Sequence, residues 1–150
     1  MCGQKNTPLR VAIYCRAGFS EYALHTQKES ALSLISEHDD WKLVTTYTDF
    51  GTGPQISRRP GFKMMMADCR RGKFDKILVK SLSTLARDIS DCMKVLQDLS
   101  ALGVSVWFMD EDIDTGDNGQ WMGFLSVYAA ISAIKFEDAA EAESTAPVLL

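Results

Sequence analysis

No apolar run in the chain approaches the roughly 18 residues that a bilayer-spanning helix needs. The opening stretch, Met1 to Leu9, is polar and carries Lys5, so it lacks the apolar core of a signal peptide. A cytoplasmic protein with no membrane partner is the expectation. The four cysteines (Cys2, Cys15, Cys69 and Cys92) show neither CxxC nor Cys/His spacing, which points to free thiols in a reducing compartment. The two histidines, His25 and His38, are isolated, so no metal site is expected, and no other cofactor. Neither GxxxxGK[ST] nor GxGxxG follows the first apolar run, which removes the common nucleotide-phosphate loops. An excess of basic residues is also missing. A net charge of −4 and a pI near 5.1 argue against a domain whose whole surface grips nucleic acid. They leave room for a local basic groove. No internal repeat or low-complexity tract interrupts the chain.

What is present suits one ordinary domain. The 150 residues are 46% hydrophobic and 24% charged, close to the average for a folded globular chain. Charge is segregated: arginines lie in RRPGFK and CRRGK, carboxylates later in MDEDIDTGD and FEDAAEAE. Strand and helix signals alternate, which predicts an α/β fold of three layers, a mainly parallel central sheet flanked by helices. Strands are expected at Leu9–Cys15, Trp41–Tyr47, Lys76–Val79 and Val104–Met109. Helices are expected over Glu21–Glu37, from Pro60 to Gly72, over Asp88–Leu102 and, as a long last helix, from Gly119 to about Ser144. The triple methionine Met64 to Met66 reads as adaptable core filler. Residues 1–144 form the expected domain and 145–150 a flexible tail. The last helix is apolar nearly all round from Trp121 to Ile134, and a helix apolar on every side must be covered on every side. One domain covers one face, so a second copy of the chain is the expected cover for the rest, giving a dimer or tetramer.

In open parallel sheets, ligands bind beyond the carboxyl ends of the strands. The first strand ends in Tyr14-Cys15-Arg16. The third runs into Lys80 and Ser81 with Arg87 beyond, and the loop after the second carries Arg58 and Arg59 before a helix start. Three segments thus bring arginines to one edge, a set suited to a phosphate. The plain alternative is solvated surface arginines paired with the many carboxylates.

Five segments, in order, resemble one family. VAIYCRAG resembles the opening of the serine site-specific recombinases (resolvases and invertases), where Tyr-x-Arg-x-Ser follows the first strand. ALHTQ is similar to the family's first-helix SLxxQ, and DFGTG…RRPGF to its DxGxSG…RPxF loop. KSLSTLARD and DEDIDTGD resemble KxLDRLxRD and ExIDT. The resemblance implies a resolvase-like catalytic domain acting on DNA. In that chemistry a serine attacks a phosphodiester without a metal, forms a phosphoserine link, and strands exchange within an oligomer. By resemblance, Arg16, Arg59 and Arg87 would hold the phosphate. Tyr14, Gln27 and Lys80 would line the site, and Asp49 would order the loop.

The chain departs from that pattern where the chemistry is concentrated. The serine position is Gly18, nine residues before Gln27, which is the family's separation; Ser20 is the hydroxyl nearby. Ser83 and Thr84 replace an Asp-Arg pair, and the family's glutamate-containing turn on the last helix falls near Ile134 and Lys135. Two readings follow for the nucleophile: a catalytically impaired domain, or Ser20 in the serine's role. A regulatory module that keeps the fold and binds DNA or protein without catalysis is the alternative function. A receiver-like domain fits poorly, because Arg16 and Lys80 stand where it needs acids. A flavin site fits poorly too, because AGFSEY is a weak phosphate cradle.

Overall fold

A computed structural model of the chain describes residues 7–18, 20–50, 59–86, 89–116 and 123. The elements in chain order are β1 (Leu9–Ala17), α1 (Glu21–Ser36), β2 (Trp41–Phe50), α2 (Pro60–Arg70), β3 (Lys76–Val79), α3 (Leu82–Leu85), α4 (Ile89–Ala101), β4 (Ser105–Phe108) and β5 (Ile113–Asp114). The strands form one sheet in the order β2-β1-β3-β4-β5, parallel except for the β4–β5 pair. The mainly parallel, helix-flanked sheet is therefore present. The expected long last helix, the 144/145 boundary, Cys2, Arg58 and Arg87 lie outside the described residues. Among the described residues, no helix is long and apolar enough to cross a membrane.

Two cores lie on opposite faces of the sheet, and strand alternation decides which residue serves which. Val11, Ile13, Cys15 and Leu78 pack with Leu24 and Ala31 of α1. Ala12, Tyr14, Ile77, Val79, Val106 and Phe108 pack with α2 and α4 through Phe62, Met65, Cys69, Cys92, Leu96 and Leu99. Met65 and Met66 are buried as expected of core filler, while Met64 is exposed. Cys15, Cys69 and Cys92 are buried and not in a disulfide; burial pushes Cys15 up to about 11 and Cys69 to about 12, so neither of these two supplies a thiolate near neutral pH.

A β-bulge sets the site. The β1–β2 register shifts between Val11 and Ala12, so that Val11 pairs with Leu43 but Ala12 with Thr45. One extra residue in β2 reverses its alternation. Leu43 then packs on the α1 side, whereas Tyr47 joins the α2 side. Asp49, two residues on and paired with Arg16, follows Tyr47 to the α2 side. The order β2-β1-β3 also makes the chain reverse direction between β1 and β3, which opens a crevice at their carboxyl ends.

Two short elements were not expected from the sequence. β5 turns back antiparallel along β4, and α3 forms a single turn after β3. β5 is fixed by a buried ion pair, Lys76 Nζ to Asp114 Oδ1 at 2.6 Å, beside the Trp107 ring. Removing one member of such a pair leaves the other charge poorly solvated. Lys76→Met is expected to cost about 3 kcal/mol, read as a lower urea midpoint at unchanged slope. A cost near zero would mean that the pair is as well hydrated apart as together.

Candidate active site

The site is built around Asp49 on β2. Its buried carboxylate accepts from Tyr14 Oη at 2.8 Å, from Gly61 N at 2.7 Å and from Phe62 N at 2.9 Å. Pro60 opens α2 and has no N–H, so Gly61 and Phe62 present the first backbone donors of the helix. Both point at Asp49, which therefore caps α2 from the neighbouring strand and places a negative charge at the positive end of the helix. The approach is close. A Cβ on Gly61 would fall 2.6 Å from Thr48 O and 2.9 Å from Asp49 Oδ1, so a side chain here would push the helix off its cap.

Arg59 is the N-cap residue of α2 and is buried, with its guanidinium near Tyr14. Burial, then the hydrogen bond to Asp49, raises the Tyr14 pKa far above its ordinary value, and the adjacent Arg59 only partly opposes this. Tyr14 is thus a permanent hydrogen-bond donor rather than a nucleophile or base. Its ring also meets Phe62 edge-on at 5.9 Å.

Arg16 sits at the carboxyl end of β1 and is fixed at both its backbone and its side chain. Arg16 N donates to Gln27 Oε1 at 3.1 Å, and Gln27 Nε2 donates to Arg16 O at 2.8 Å, so the α1 amide continues the strand pairing past the sheet. The guanidinium reaches across the crevice, Nη2 donating to Ser83 O at 2.5 Å and Nε to Thr84 O at 3.2 Å. These carbonyls belong to α3, which is itself anchored by Leu82 N donating to Glu111 Oε1 at 3.2 Å. Burial, acting first, raises the Glu111 pKa.

The structure thus gathers Tyr14, Arg16, Gln27, Asp49 and Arg59 at one carboxyl edge. Gly18 is half-buried just beyond β1. Ser20 is exposed and is the N-cap of α1, its Oγ accepting from Ala23 N at 3.1 Å. Lys80 lies at the same edge but pairs with Asp110, Nζ to Oδ2 at 2.6 Å. Sequence reasoning did not anticipate three contributions: Gly61, the Ser83 and Thr84 carbonyls, and Glu111. Glu111 lies in the DEDIDTGD segment already singled out, but its target, a backbone N–H of α3, leaves no side-chain signal. Thr84, in the place of a family arginine, is buried, with its hydroxyl 3.2 Å from Ser81 Oγ. Among the described residues, no three His, Cys, Asp or Glu side chains are grouped to hold a metal ion.

Stability separates the members of this network. Asp49→Asn keeps one acceptor oxygen but turns an amide donor toward another donor, an expected cost of about 2–3 kcal/mol. Tyr14→Phe removes a single donor, an expected cost of about 1 kcal/mol. Urea unfolding of the two variants checks that ordering. A Tyr14→Phe loss as large as that of Asp49→Asn would show that the carboxylate is not the centre.

Residues 11–146 match the model of the resolvase N-terminal domain. The chain is 31% identical over 125 residues to the transposon Tn3 resolvase of Escherichia coli, covering 83% of this chain and 62% of that protein. It is 26% identical over 107 residues to a resolvase/recombinase of Pseudomonas putida, covering 71% and 55%. The chain therefore spans less than two thirds of these relatives' length. Among solved structures, the N-terminal catalytic domain of TP901-1 integrase superposes with a TM-score of 0.69 at 27% identity, covering 85% of this chain and 97% of that one. A resolvase family site-specific recombinase from Streptococcus pneumoniae gives 0.69 at 25% identity, covering 95% and 99%. The chain belongs to the resolvase N-terminal domain family, the catalytic domain of serine recombinases.

Proposed function

We propose that this is a degenerate serine-recombinase domain, which holds a phosphodiester of a DNA recombination site but does not cleave it. One observation carries the reading. The serine position is Gly18, and the nearby hydroxyl, Ser20, is engaged as the N-cap of α1. Attack on phosphorus needs an oxygen lone pair aimed at it and a general path for the proton. Gly18 offers no oxygen, and the Ser20 oxygen is turned toward Ala23 N. An essential nucleophile, once lost, commonly costs on the order of 10⁴-fold or more in rate.

In this reading Arg16, Arg59 and Arg87 hold the phosphate, as guanidinium groups suit the charge of a pentacoordinate phosphorus. Tyr14, as a fixed donor, and Gln27 line the site. Asp49 orders it, and Lys80 lies at its margin. Thr84 weakens charge stabilisation further, because a hydroxyl carries no fixed positive charge. The partners are DNA and further copies of the chain through Trp121 to Ile134, and the setting is the cytoplasm. A binding role without chemistry, in which the domain regulates recombination, is included in this reading.

A second reading makes Ser20 a displaced nucleophile, and its exposure at the carboxyl edge is in its favour. Trapping of covalent protein–DNA adducts separates the two on a suitable crossover site. The natural chain and Ser20→Ala are expected to give no adduct. Gly18→Ser with Thr84→Arg is expected to give some; because Thr84 is buried, Gly18→Ser alone is run beside it. A robust adduct from the natural chain that Ser20→Ala abolishes would overturn the proposal.

A further inference from the structure

α3 is a single turn, Leu82–Leu85, and one turn of helix does not hold its own shape in water. Burial of Leu82 and Leu85 keeps it on the domain. Apolar burial is non-directional, however, and leaves the rotation and height of the turn unset. Ser81, at the N-cap, does not serve the turn's backbone with its hydroxyl, which lies 2.9 Å from Ser83 Oγ and 3.2 Å from Thr84 Oγ1. The first N–H of the turn, Leu82 N, is served from another segment, by Glu111 Oε1 at 3.2 Å.

Glu111 is built as a fixed point. The β3–β4 pairing continues past both strands, Met109 N donating to Val79 O at 2.9 Å and Asp110 N to Lys80 O at 2.8 Å. The side chains of Lys80 and Asp110 join the same two residues a second time, Nζ to Oδ2 at 2.6 Å. Glu111 comes next. Beyond it Asp112, with a left-handed φ of 56°, turns the chain into β5, where Ile113 is buried. Glu111 is half-buried, so water competes less for Leu82 N than it would at an open surface.

At the other end of α3, the last carbonyls of the turn have no partner further along a helix. Ser83 O accepts from Arg16 Nη2 at 2.5 Å, and Thr84 O accepts from Arg16 Nε at 3.2 Å. Two bonds from one edge of a planar guanidinium set the plane of the whole group. The Arg16 backbone is already clamped by Gln27, so this plane is the freedom that remained to be fixed. α3 thus carries a carboxylate at its first donor and a guanidinium at its last acceptors, each charge at the end that the helix dipole favours.

We infer that Glu111 is a positioning residue for Arg16. Tied to β3 and β4 through its own segment, it caps α3, sets where the Ser83 and Thr84 carbonyls lie, and so sets the plane in which Arg16 presents its guanidinium at the carboxyl edge. The consequence for an oxyanion, a weaker grip when Glu111 is lost, rests on the phosphate-holding reading of Arg16; the link from Glu111 to Arg16 does not.

Exchange of the Arg16 Nε proton with water tests the link in the full chain, with no DNA present. Its magnetic-resonance signal in nitrogen-labelled protein is assigned by its loss in Arg16→Lys. Glu111→Ala is expected to speed that exchange about five- to tenfold, the order of one lost hydrogen bond. Glu111→Asp keeps the charge but falls a methylene short of Leu82 N; it disturbs folding less and is expected to behave like Glu111→Ala. Glu111→Gln keeps an acceptor oxygen at full length and is expected to restore the natural rate. Tyr47→Phe removes a buried hydrogen bond to Asp68 of α2, outside the Glu111–α3 link, and is expected to lower stability without moving the Arg16 rate. An unchanged rate in Glu111→Ala and Glu111→Asp would overturn the inference. So would an equal acceleration in Tyr47→Phe, or no recovery in Glu111→Gln. Titration with tungstate reads the consequence: affinity is expected to fall in Glu111→Ala and Glu111→Asp and to return in Glu111→Gln. Tungstate that binds the natural chain no better than Arg16→Lys would remove the phosphate-holding reading, and the exchange rates would still decide the role of Glu111.

Discussion

A buried carboxylate is expensive unless every lone pair that water would have served finds a donor. Asp49 meets that demand with a tyrosine hydroxyl from β1 and two backbone N–H groups from the start of α2. Much of the rest of the site follows from this one arrangement. The helix cannot slide, because its first two available donors are tied to β2. Pro60 can occupy the first turn because its missing N–H is not needed there. Gly61 is required because the carboxylate and the Thr48 carbonyl occupy the space of a side chain. Arg59, at the N-cap, is set beside Tyr14 and not in solvent. The crossed hydrogen bonds between Gln27 and Arg16 do the same at the other side of β1, and the Ser83 and Thr84 carbonyls aim the Arg16 side chain.

The strands β1 to β4 and the helices α1, α2 and α4 were legible because their apolar residues alternate or recur at helical spacing. The strand ends were less so. β1 continues to Ala17 and β2 to Phe50 because each extends along the other, and a pairing partner outweighs the polar character of Arg16, Thr48 and Asp49. β5 is two residues long, and its position depends on Lys76 reaching Asp114, a contact 38 positions apart that no local pattern announces. The bulge at Val44 is the deeper case. Strict alternation from Trp41 and Leu43 would send Tyr47 and Asp49 to the α1 side, and only the register shift turns them toward α2. Tyr14, Arg16, Gln27, Asp49 and Arg59, which meet at one edge, stand in segments that the sequence had singled out. The manner of their assembly, with an aspartate as a remote helix cap and an arginine held by carbonyls, rests on backbone geometry that side-chain patterns do not report.

In the proposed reading, framework and chemistry have separated in this domain. The residues that stabilise the fold around the site (Tyr14, Gln27, Asp49 and Gly61) are present and satisfied, and each would be costly to lose for stability alone. The changed positions carry little of that burden. Gly18 lies beyond the end of β1, and Thr84 packs its hydroxyl against Ser81. Selection on folding would keep the first group whatever the domain does, and would not defend the second. In that proposed reading, a chain keeps the fold of the resolvase N-terminal domain after its nucleophile has gone.

The carboxyl edge is the centre of the account, and a bound oxyanion is its most direct probe. Crystals of the full chain soaked in tungstate, located by anomalous scattering, are expected to show the ion within hydrogen-bonding distance of Arg59 and of at least one of Arg16 and Arg87, beyond the ends of β1 and β3. Tungstate found only elsewhere, with the Arg16 and Arg59 guanidinium groups turned to different faces of the molecule, would contradict it.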